Sequence, residues 1–433
     1  MNYYSLNKNA PSVNFKEATI KGQAPDKGLY FPEKIPVLDS ALIKNIQQYS
    51  KEDLALEIML PYVGNSIHKA DLSSIVAETI NFPFPLVPLN KRMEALELFH
   101  GPTLAFKDVG ARFMSRCLGY FSKDQKNTIT VLVATSGDTG GAVANGFLGV
   151  EGVEVVILYP SGKVSPVQEL QLTTCNQNII ALEIVGSFDD CQAMVKDAFM
   201  DASLNQQLTL TSANSINVAR WLPQQLYYFF AYQSWMQNHE QAPVIAVPSG
   251  NFGNICAGLL AHISGLPVAH FIAACNVNDA VPAYLRSGNF AAQKAVATIS
   301  NAMDVGSPSN FVRILELFQH NFKNISQKIT GYTVSDTITE QTILNTYLNE
   351  QYLLDPHGAV AYYALSEYLK QYPSQAGIFL ETAHPVKFPE TVEALIHKKI
   401  EIPEAVQHLF AKEKKSILME ANFEALKEWL LAR

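Results

Sequence analysis

Cysteines are scarce in this sequence of 433 residues, and no pattern pairs them. Five are present, at positions 117, 175, 191, 256 and 275, without a CxxC pair among them. An odd count of this kind fits reduced thiols better than a disulfide framework or a zinc site. The sequence therefore predicts a cytoplasmic protein that binds no metal.

Long hydrophobic runs and a basic surface are missing as well. The sequence has no apolar stretch of about 18 residues, the length that predicts a membrane span. Its first residues, MNYYSLNKNAPSVNF, lack a basic start followed by an apolar run, so no secretory signal is expected. The 40 acidic residues outnumber the 32 Lys and Arg residues, for a net charge of −8. Such a surface repels phosphate backbones, and we do not expect a nucleic acid partner.

Hydrophobic residues make up 48% of the chain, as in ordinary globular proteins, and a chain of this length needs two or three packed units. From about residue 128 to 276, short β-branched runs alternate with helix-period segments. This alternation indicates parallel sheets covered on both faces, and hence a doubly wound α/β fold. The runs predicted as strands are 129–137, 153–162, 179–187, 208–215, 242–253, 268–276 and, further on, 376–385.

Glycine, hydroxyl and amide residues cluster at two strand-to-helix turns. TSGDTGGAVANG (135–146) follows one predicted strand and PSGNFGNICAGLL (248–260) follows another. Free backbone N–H groups there, with the positive end of the next helix dipole, favour an anion. Each turn by itself is equally explained as a glycine-permitted turn with a helix cap, and the usual nucleotide signatures are absent. Two such turns in one fold favour anion binding at both.

Lys107 lies in the apolar segment HGPTLAFKDVGARF (100–113). A lone lysine is most often a surface side chain whose stem lies along apolar neighbours. The alternative is a partly buried amine with a lowered pKa, suited to forming an imine with an aldehyde cofactor. Spacing alone leaves both interpretations open.

Two further segments carry polar side chains at strand or helix ends. TSANSINVARWLPQ (211–224) places Arg220 among several hydroxyl and amide donors, and the arginine fork matches two phosphate oxygens at once. Helix capping by Ser215 explains only part of this pattern. In IFLETAHPVKF (378–388), Thr382 and His384 follow a predicted buried strand. Taken alone, these two residues are interpreted as structural.

Together these segments resemble the threonine synthase family, within the second fold type of pyridoxal-phosphate enzymes. The motifs follow the family's order along nearly the whole chain. They are FKEATIKGQAPDKGLYFPE (15–33), HGPTLAFKD (100–108), TSGDTG (135–140), PSGNFGN (248–254), AMDVGSPSNF (302–311), DPHGAV (355–360) and ETAHPVKF (381–388).

The resemblance implies mostly parallel, doubly wound sheets in two main domains, with the cofactor in the cleft between them, plus a small N-terminal segment. Residues 1–95 would form that segment, and residues 96–430 a catalytic region of two interleaved subdomains. Pyridoxal phosphate would be held as a Schiff base on Lys107, the catalytic residue. The implied cofactor-binding residues are Lys107, Asp138, Gly250, Asn251, Phe252, Gly253, Asn254 and Thr382, and the implied substrate-binding residues are Ser136, Thr139, Ser215, Asn217 and Arg220.

The implied activity converts O-phospho-L-homoserine and water to L-threonine and phosphate by γ-elimination and β-addition of water. The small-molecule substrate would be the partner of a monomer or homodimer. Two alternatives are kept. Another lyase of this fold type, such as a serine or threonine dehydratase, would need no second phosphate site. A non-catalytic homologue that binds a metabolite would not need Lys107.

Overall fold

The computed structural model describes residues 1–125 and 127–433, which form three β-sheets flanked by helices. The strands are β1 (Asn2–Ser5), β2 (Val13–Asn14), β3 (Tyr30–Pro32), β4 (Leu86–Asn90), β5 (Met93–Glu97), β6 (Ile129–Ala134), β7 (Val153–Pro160), β8 (Ile179–Val185), β9 (Thr209–Ser212), β10 (Val244–Pro248), β11 (His270–Cys275), β12 (Ile329–Thr333), β13 (Gly377–Glu381) and β14 (Ile417–Glu420).

The helices vary from one turn to more than four turns. They are α1 (Phe15–Lys21), α2 (Ser40–Lys44), α3 (Lys51–Val63), α4 (Lys69–Thr79), α5 (Lys107–Ser122), α6 (Asp138–Phe147), α7 (Pro166–Thr173), α8 (Phe188–Met200), α9 (Ala202–Gln207), α10 (Val218–Trp221), α11 (Gln225–Trp235), α12 (Gly253–Ile263), α13 (Ala280–Ser287), α14 (Phe311–Leu317), α15 (Phe322–Lys328), α16 (Asp336–Glu350), α17 (Pro356–Gln371), α18 (Pro389–Ile396), α19 (Glu404–Gln407) and α20 (Phe423–Leu431). Short 3-10 helices occupy Ile46–Gln48, Gly64–Ser66, Leu222–Gln224, Asn301–Met303, Pro385–Lys387 and His408–Ala411.

Two large sheets dominate the fold. The β6 sheet has the order β14-β8-β7-β6-β9 and is entirely parallel. The β10 sheet has the order β12-β11-β10-β13-β5-β4 and is parallel except for β4. Strands β6 and β10 are buried along their whole length, as strands covered by helices on both faces must be. Each run predicted as a strand contains one, and the doubly wound, mostly parallel α/β prediction is confirmed.

Helices next to the β6 sheet begin where the sequence supplies a cap. Ser165 accepts from the backbone N–H of Gln168 ahead of α7, which starts with Pro166. Ser187 accepts in the same way from Asp190 ahead of α8. Each cap satisfies a backbone donor that the helix itself cannot pair. In return, the side chain of the third helical residue accepts a hydrogen bond from the backbone N–H of the cap. The loops before these helices therefore have fixed positions at the carboxyl ends of the strands.

The chain passes from one large sheet to the other and back. It enters the β10 sheet with β4 and β5, builds the β6 sheet with β6 to β9, and returns to the β10 sheet with β10 to β13. Strand β14 then completes the β6 sheet beside β8. The expected boundary between residues 95 and 96 falls inside β5, which already pairs with β4. We propose that the N-terminal segment, with its small antiparallel sheet β2-β1-β3, ends before β4.

None of the described helices combines the length and the apolar character that crossing a bilayer requires.

Candidate active site

A cavity of about 590 Å³ opens between the carboxyl ends of strands from the β6 and β10 sheets. Its walls come from the loops after β6, β9, β10 and β13 and from the start of α5. Ligands bind at this edge of open parallel sheets. The predicted site residues that line it are Lys107, Ser136, Thr139, Ser215, Arg220, Gly250, Asn251, Phe252, Gly253, Asn254 and Thr382.

Lys107 is the first residue of α5, and the loop before it is held from two sides. Phe106 donates its backbone N–H to Thr382 O at 2.9 Å, and its carbonyl accepts from the Tyr227 hydroxyl. The Lys107 side chain is 18% exposed. Burial lowers the pKa of its amine, and the opposing effect of the Asp138 carboxylate does not cancel that shift. A neutral amine at this wall can act as a nucleophile or as a base.

Asp138 lies behind Lys107 and outside the cavity lining. Its Oδ2 is 3.9 Å from Lys107 Nζ, while its Oδ1 is 2.7 Å from Lys387 Nζ and 3.0 Å from Gln168 Nε2. Burial acts to raise the pKa of this carboxyl, but the two lysines outweigh it and hold the pKa below its usual value. Asp138 was expected among the cofactor-binding residues, but it does not line the cavity, and Lys387 and Gln168 engage its Oδ1.

The turn after β10 forms an anion cradle at the start of α12. Phe252 has a φ of 61°, a left-handed conformation of the kind that lets successive N–H groups converge. Gly250 lets the backbone of Ala302 and Met303 approach the turn closely, since a Cβ at position 250 would lie 2.7 Å from Ala302 O and from Met303 Cα. The buried Nδ2 of Asn254 has no acceptor among the described residues. A phosphate oxygen would satisfy this donor at the positive end of an 11-residue helix.

Arg220 and Ser215 form a second group of donors that suits an anion, beside this cradle. Arg220 is 3% exposed; its Nη1 donates to Ala213 O at 2.5 Å, and its Nε has no acceptor in the described part of the chain. Burial lowers the pKa of this guanidinium to about 10, so it stays charged at neutral pH. Ser215 Oγ accepts from Asn251 Nδ2 at 3.1 Å and from Asn310 Nδ2 at 3.0 Å. Its own O–H is left to donate to an anion.

Asn217 does not reach the cavity. It caps α10 by accepting from the Ala219 N–H at 3.0 Å, and its Nδ2 donates to Thr19 O at 2.9 Å and to Ser212 O at 3.3 Å. The expected substrate contact of Asn217 does not fit this geometry, because both polar atoms of the side chain are engaged elsewhere. Asn214, three residues earlier, lines the cavity instead.

Hydroxyl groups supply the rest of the predicted wall. Ser136 and Thr139 come from the loop after β6, which is closed by Thr135 because its Oγ1 accepts from the N–H groups of Gly137 and Gly140 at 2.9 and 2.8 Å. Thr382 follows β13 and is buried. It offers an uncharged hydroxyl to a group bound in the cavity.

His357, at the start of α17, lines the cavity but was not among the predicted site residues. Its Nδ1 is 2.6 Å from Asp355 Oδ1, and its Nε2 accepts from the Ala302 N–H at 3.2 Å. The imidazole therefore holds the wall segment that faces Gly250. The motif DPHGAV pointed to this residue in the sequence. It did not reveal the role of His357, because that role depends on a contact with Ala302, which is distant in the sequence.

Glu381, at the end of β13, is a fully buried acid behind the cavity wall. Burial, reinforced by the Asp355 and Glu97 carboxylates, raises its pKa well above the ordinary 4.5. The unfolded chain releases this proton above pH 4.5, whereas the folded chain keeps it. Stability from this group is therefore complete below pH 4.5 and is lost as pH rises towards the folded-state pKa.

We expect Glu381→Gln to abolish this loss of stability, because the amide carries no titrating proton. The melting temperature of the variant relative to that of the wild type should rise between about pH 4 and about pH 8. Glu183→Gln is the control of opposite sign, since Lys414 and nearby hydroxyls outweigh burial and lower the pKa of Glu183 to about 2. Its melting temperature relative to that of the wild type should fall between about pH 2 and about pH 5. A Glu381→Gln difference that stays constant with pH would contradict the prediction.

Comparisons with known proteins match this chain to one family along nearly its whole length. The family model described as "Pyridoxal-phosphate dependent enzyme" matches residues 85–380. Those described as "Threonine synthase N terminus" and "Threonine synthase, C-terminal" match residues 2–80 and 358–430. A curated relative, threonine synthase of Haemophilus influenzae, is 44% identical over 431 residues, covering 100% of both chains.

Two solved structures are similar to this fold. The crystal structure of threonine synthase from Escherichia coli has a TM-score of 0.92 and 41% identity, covering 100% of both chains. The structure of pyridoxal-phosphate-bound threonine synthase from Brucella melitensis has a TM-score of 0.93 and 33% identity, covering 99% of this chain and 98% of that one. These matches confirm the resemblance inferred from the motifs: the chain belongs to the threonine synthase family of pyridoxal-phosphate-dependent enzymes.

Proposed function

We propose that the cavity converts O-phospho-L-homoserine and water to L-threonine and phosphate. The observation that supports this proposal is two adjoining groups of donors that suit anions, beside Lys107, whose side chain is 18% exposed. The cradle at Gly250–Asn254 and the group at Arg220 are linked by the hydrogen bond between Asn251 Nδ2 and Ser215 Oγ. One site suits the phosphate of the cofactor and the other suits the phosphate of the substrate.

The residues present fit pyridoxal phosphate. Lys107 would bind its aldehyde carbon and Thr382 would face its ring nitrogen. The cradle, where Asn254 Nδ2 has no acceptor among the described residues, would bind its phosphate. When bound, the cofactor withdraws electrons from the substrate carbons next to the amine, which makes their protons removable. A hydroxyl partner at the ring nitrogen does not enforce a positive ring as a carboxylate would.

The protein side chains supply binding and proton transfer. Lys107 would take the proton from Cα of the bound substrate and deliver protons during the later steps. A proton is then removed from Cβ, and the electrons of that C–H bond form a double bond to Cγ. Arg220 and Ser215 would hold the γ-phosphate while its C–O bond breaks and the bonding electrons leave with phosphate. Ser136 and Thr139 bind the substrate carboxylate. Water then adds its oxygen to Cβ, and protons returned to the carbon skeleton complete threonine.

Each competing function leaves one feature of the cavity unexplained. A dehydratase acting on serine or threonine binds no substrate phosphate and would not need Arg220, a buried cation whose Nε has no acceptor in the described part of the chain. A metabolite-binding homologue without catalysis has no use for Lys107, whose pKa burial lowers. We also propose cytoplasmic residence, which fits the five free cysteines, and a monomer or homodimer without nucleic acid or membrane partners.

The decisive experiment measures products. Holoenzyme incubated with O-phospho-L-homoserine should release phosphate and L-threonine in equal amounts, as followed by a phosphate assay and amino-acid chromatography. L-homoserine, which lacks the phosphate, is the control and should give no threonine. A 2-oxo acid and ammonia as the main products would favour a dehydratase, and no turnover would favour the metabolite-binding alternative.

A further inference from the structure

Lys387 is a charged side chain buried completely next to the site, yet the proposed chemistry has not used it. It ends the 3-10 helix Pro385–Lys387, and its side chain is 0% exposed. Its Nζ lies 2.7 Å from Asp138 Oδ1 and donates to Thr103 O at 2.8 Å. An ammonium group so enclosed must be paired, because burying an isolated charge costs several kcal/mol.

The partner of Lys387 is also the anion nearest to Lys107. Asp138 begins the 10-residue helix α6 and offers its second oxygen to Lys107 Nζ at 3.9 Å. A carboxylate alone at this distance would favour the ammonium form of Lys107. Lys387 and Gln168 occupy the other oxygen, and the cation of Lys387 neutralises the carboxylate.

The other charges around this pair either act in the same direction as Lys387 or are engaged elsewhere. Arg220 faces Lys107 from α10 and acts, like Lys387, against its ammonium form. Asp108, on the same helix as Lys107, is tied to Thr103 by bonds of 3.0 and 2.5 Å, and burial raises its pKa. His384 also faces Lys387, but burial lowers its pKa to about 4, so it carries no charge at neutral pH.

We propose that Lys387 is a positioning residue that favours the neutral form of Lys107 by engaging Asp138. The inference rests on the proposed function, in which the amine of Lys107 must take a proton from Cα. With Asp138 and Lys387 both charged, the three groups sum to zero charge only when Lys107 is neutral. Lys387 thus acts on the base through the carboxylate, without touching the substrate.

Two single variants should shift Lys107 in opposite directions. Lys387→Met leaves the Asp138 charge uncompensated and should favour the ammonium form of Lys107. Asp138→Asn leaves the Lys387 charge uncompensated and should favour the neutral form. The double variant removes both charges. Its balance between the neutral and ammonium forms of Lys107 should be close to that of the wild type, because the two effects are coupled through one contact.

The readout is the rate at which the full chain, freed of cofactor, binds added pyridoxal phosphate, followed by visible absorption across a pH series. Only the neutral amine adds to the aldehyde carbon, with loss of water, so this rate reports the charge state of Lys107. At a pH where the wild-type amine is mostly protonated, Lys387→Met should bind about tenfold more slowly, the size expected for an ion contact of this length. Asp138→Asn should bind faster at the same pH.

A purely structural role for Lys387 predicts a different result. Loss of the Thr103 contact would lower the binding rate at all pH values without shifting the pH profile along the pH axis. Both single variants would then change the binding rate in the same direction. Either outcome overturns the proposal. If Lys387→Met does not fold, Lys387→Gln takes its place, and a pH profile that coincides with that of the wild type would overturn the proposal.

Lys399→Met is the matched control, since Lys399 also pairs with a carboxylate, Glu393 at 2.6 Å, but is 91% exposed. Its pH profile should coincide with that of the wild type. This assay uses no O-phospho-L-homoserine. A failed product assay would refute the proposed function alone, whereas an unmoved binding profile would refute the role of Lys387.

Discussion

Lys107→Ala is expected to lower kcat for threonine formation by about 10⁴-fold, the upper end of what loss of a general acid or base costs. The variant loses the amine that binds the aldehyde and also the base at Cα, and no other described lysine except the exposed Lys163 lines the cavity. Phosphate release measures the rate. Visible absorption after removal of excess pyridoxal phosphate measures covalent binding, which should vanish.

Lys123→Ala is the control for this experiment, because Lys123 is an exposed lysine at the other end of the same helix. It should retain both activity and absorption. If Lys107→Ala kept the absorption of covalently bound cofactor, the assignment of Lys107 would be wrong.

Arg220→Ala is expected to lower kcat/KM for O-phospho-L-homoserine by about 30-fold to several thousandfold, since breaking a buried charge pair costs about 2–5 kcal/mol. Removal of the guanidinium would leave the substrate phosphate with the hydroxyl of Ser215 and the amide of Asn214 as its neighbours. Arg220→Lys should recover only part of the loss, because an ammonium does not offer two parallel donors. Initial rates over a substrate series measure the effect.

The same variant separates the two anion sites. Its affinity for pyridoxal phosphate should stay close to that of the wild type, because the cofactor phosphate is assigned to the Gly250–Asn254 turn. Arg116→Ala, at a partly exposed arginine paired with Glu78, controls for the loss of an arginine. An unchanged kcat/KM would refute the substrate role of Arg220. An equal loss of cofactor affinity would mean that both phosphates were assigned to the wrong groups.

The strands were predictable from sequence, but their division between two sheets was not. Strands β6 and β10 carry the same kind of continuous apolar run because each is covered on both faces. Nothing in such a run says which strand pairs with which. Strand β10 pairs with β11 and with the distant β13, and β8 pairs with β14 near the end of the chain.

The site was predictable where function depends on a local turn and not where it depends on distant contacts. The glycine turns at 135–146 and 248–260 line the cavity as expected. Asn217 and Asn214 could not be told apart, because the choice depends on Thr19, whose carbonyl accepts from Asn217. Lys387 was similarly hidden inside a motif, since its partner Asp138 is far away in sequence.

The path of the chain has a consequence for synthesis on the ribosome. Lys107 leaves the ribosome early, but the loop that holds it needs the Thr382 carbonyl and the Lys387 ammonium. The edge strand β14 likewise joins the β6 sheet only near the end of synthesis. A nascent chain therefore has its reactive lysine for most of translation without the pocket around it. We expect cofactor capture to be among the last events of maturation, after release of nearly the entire polypeptide.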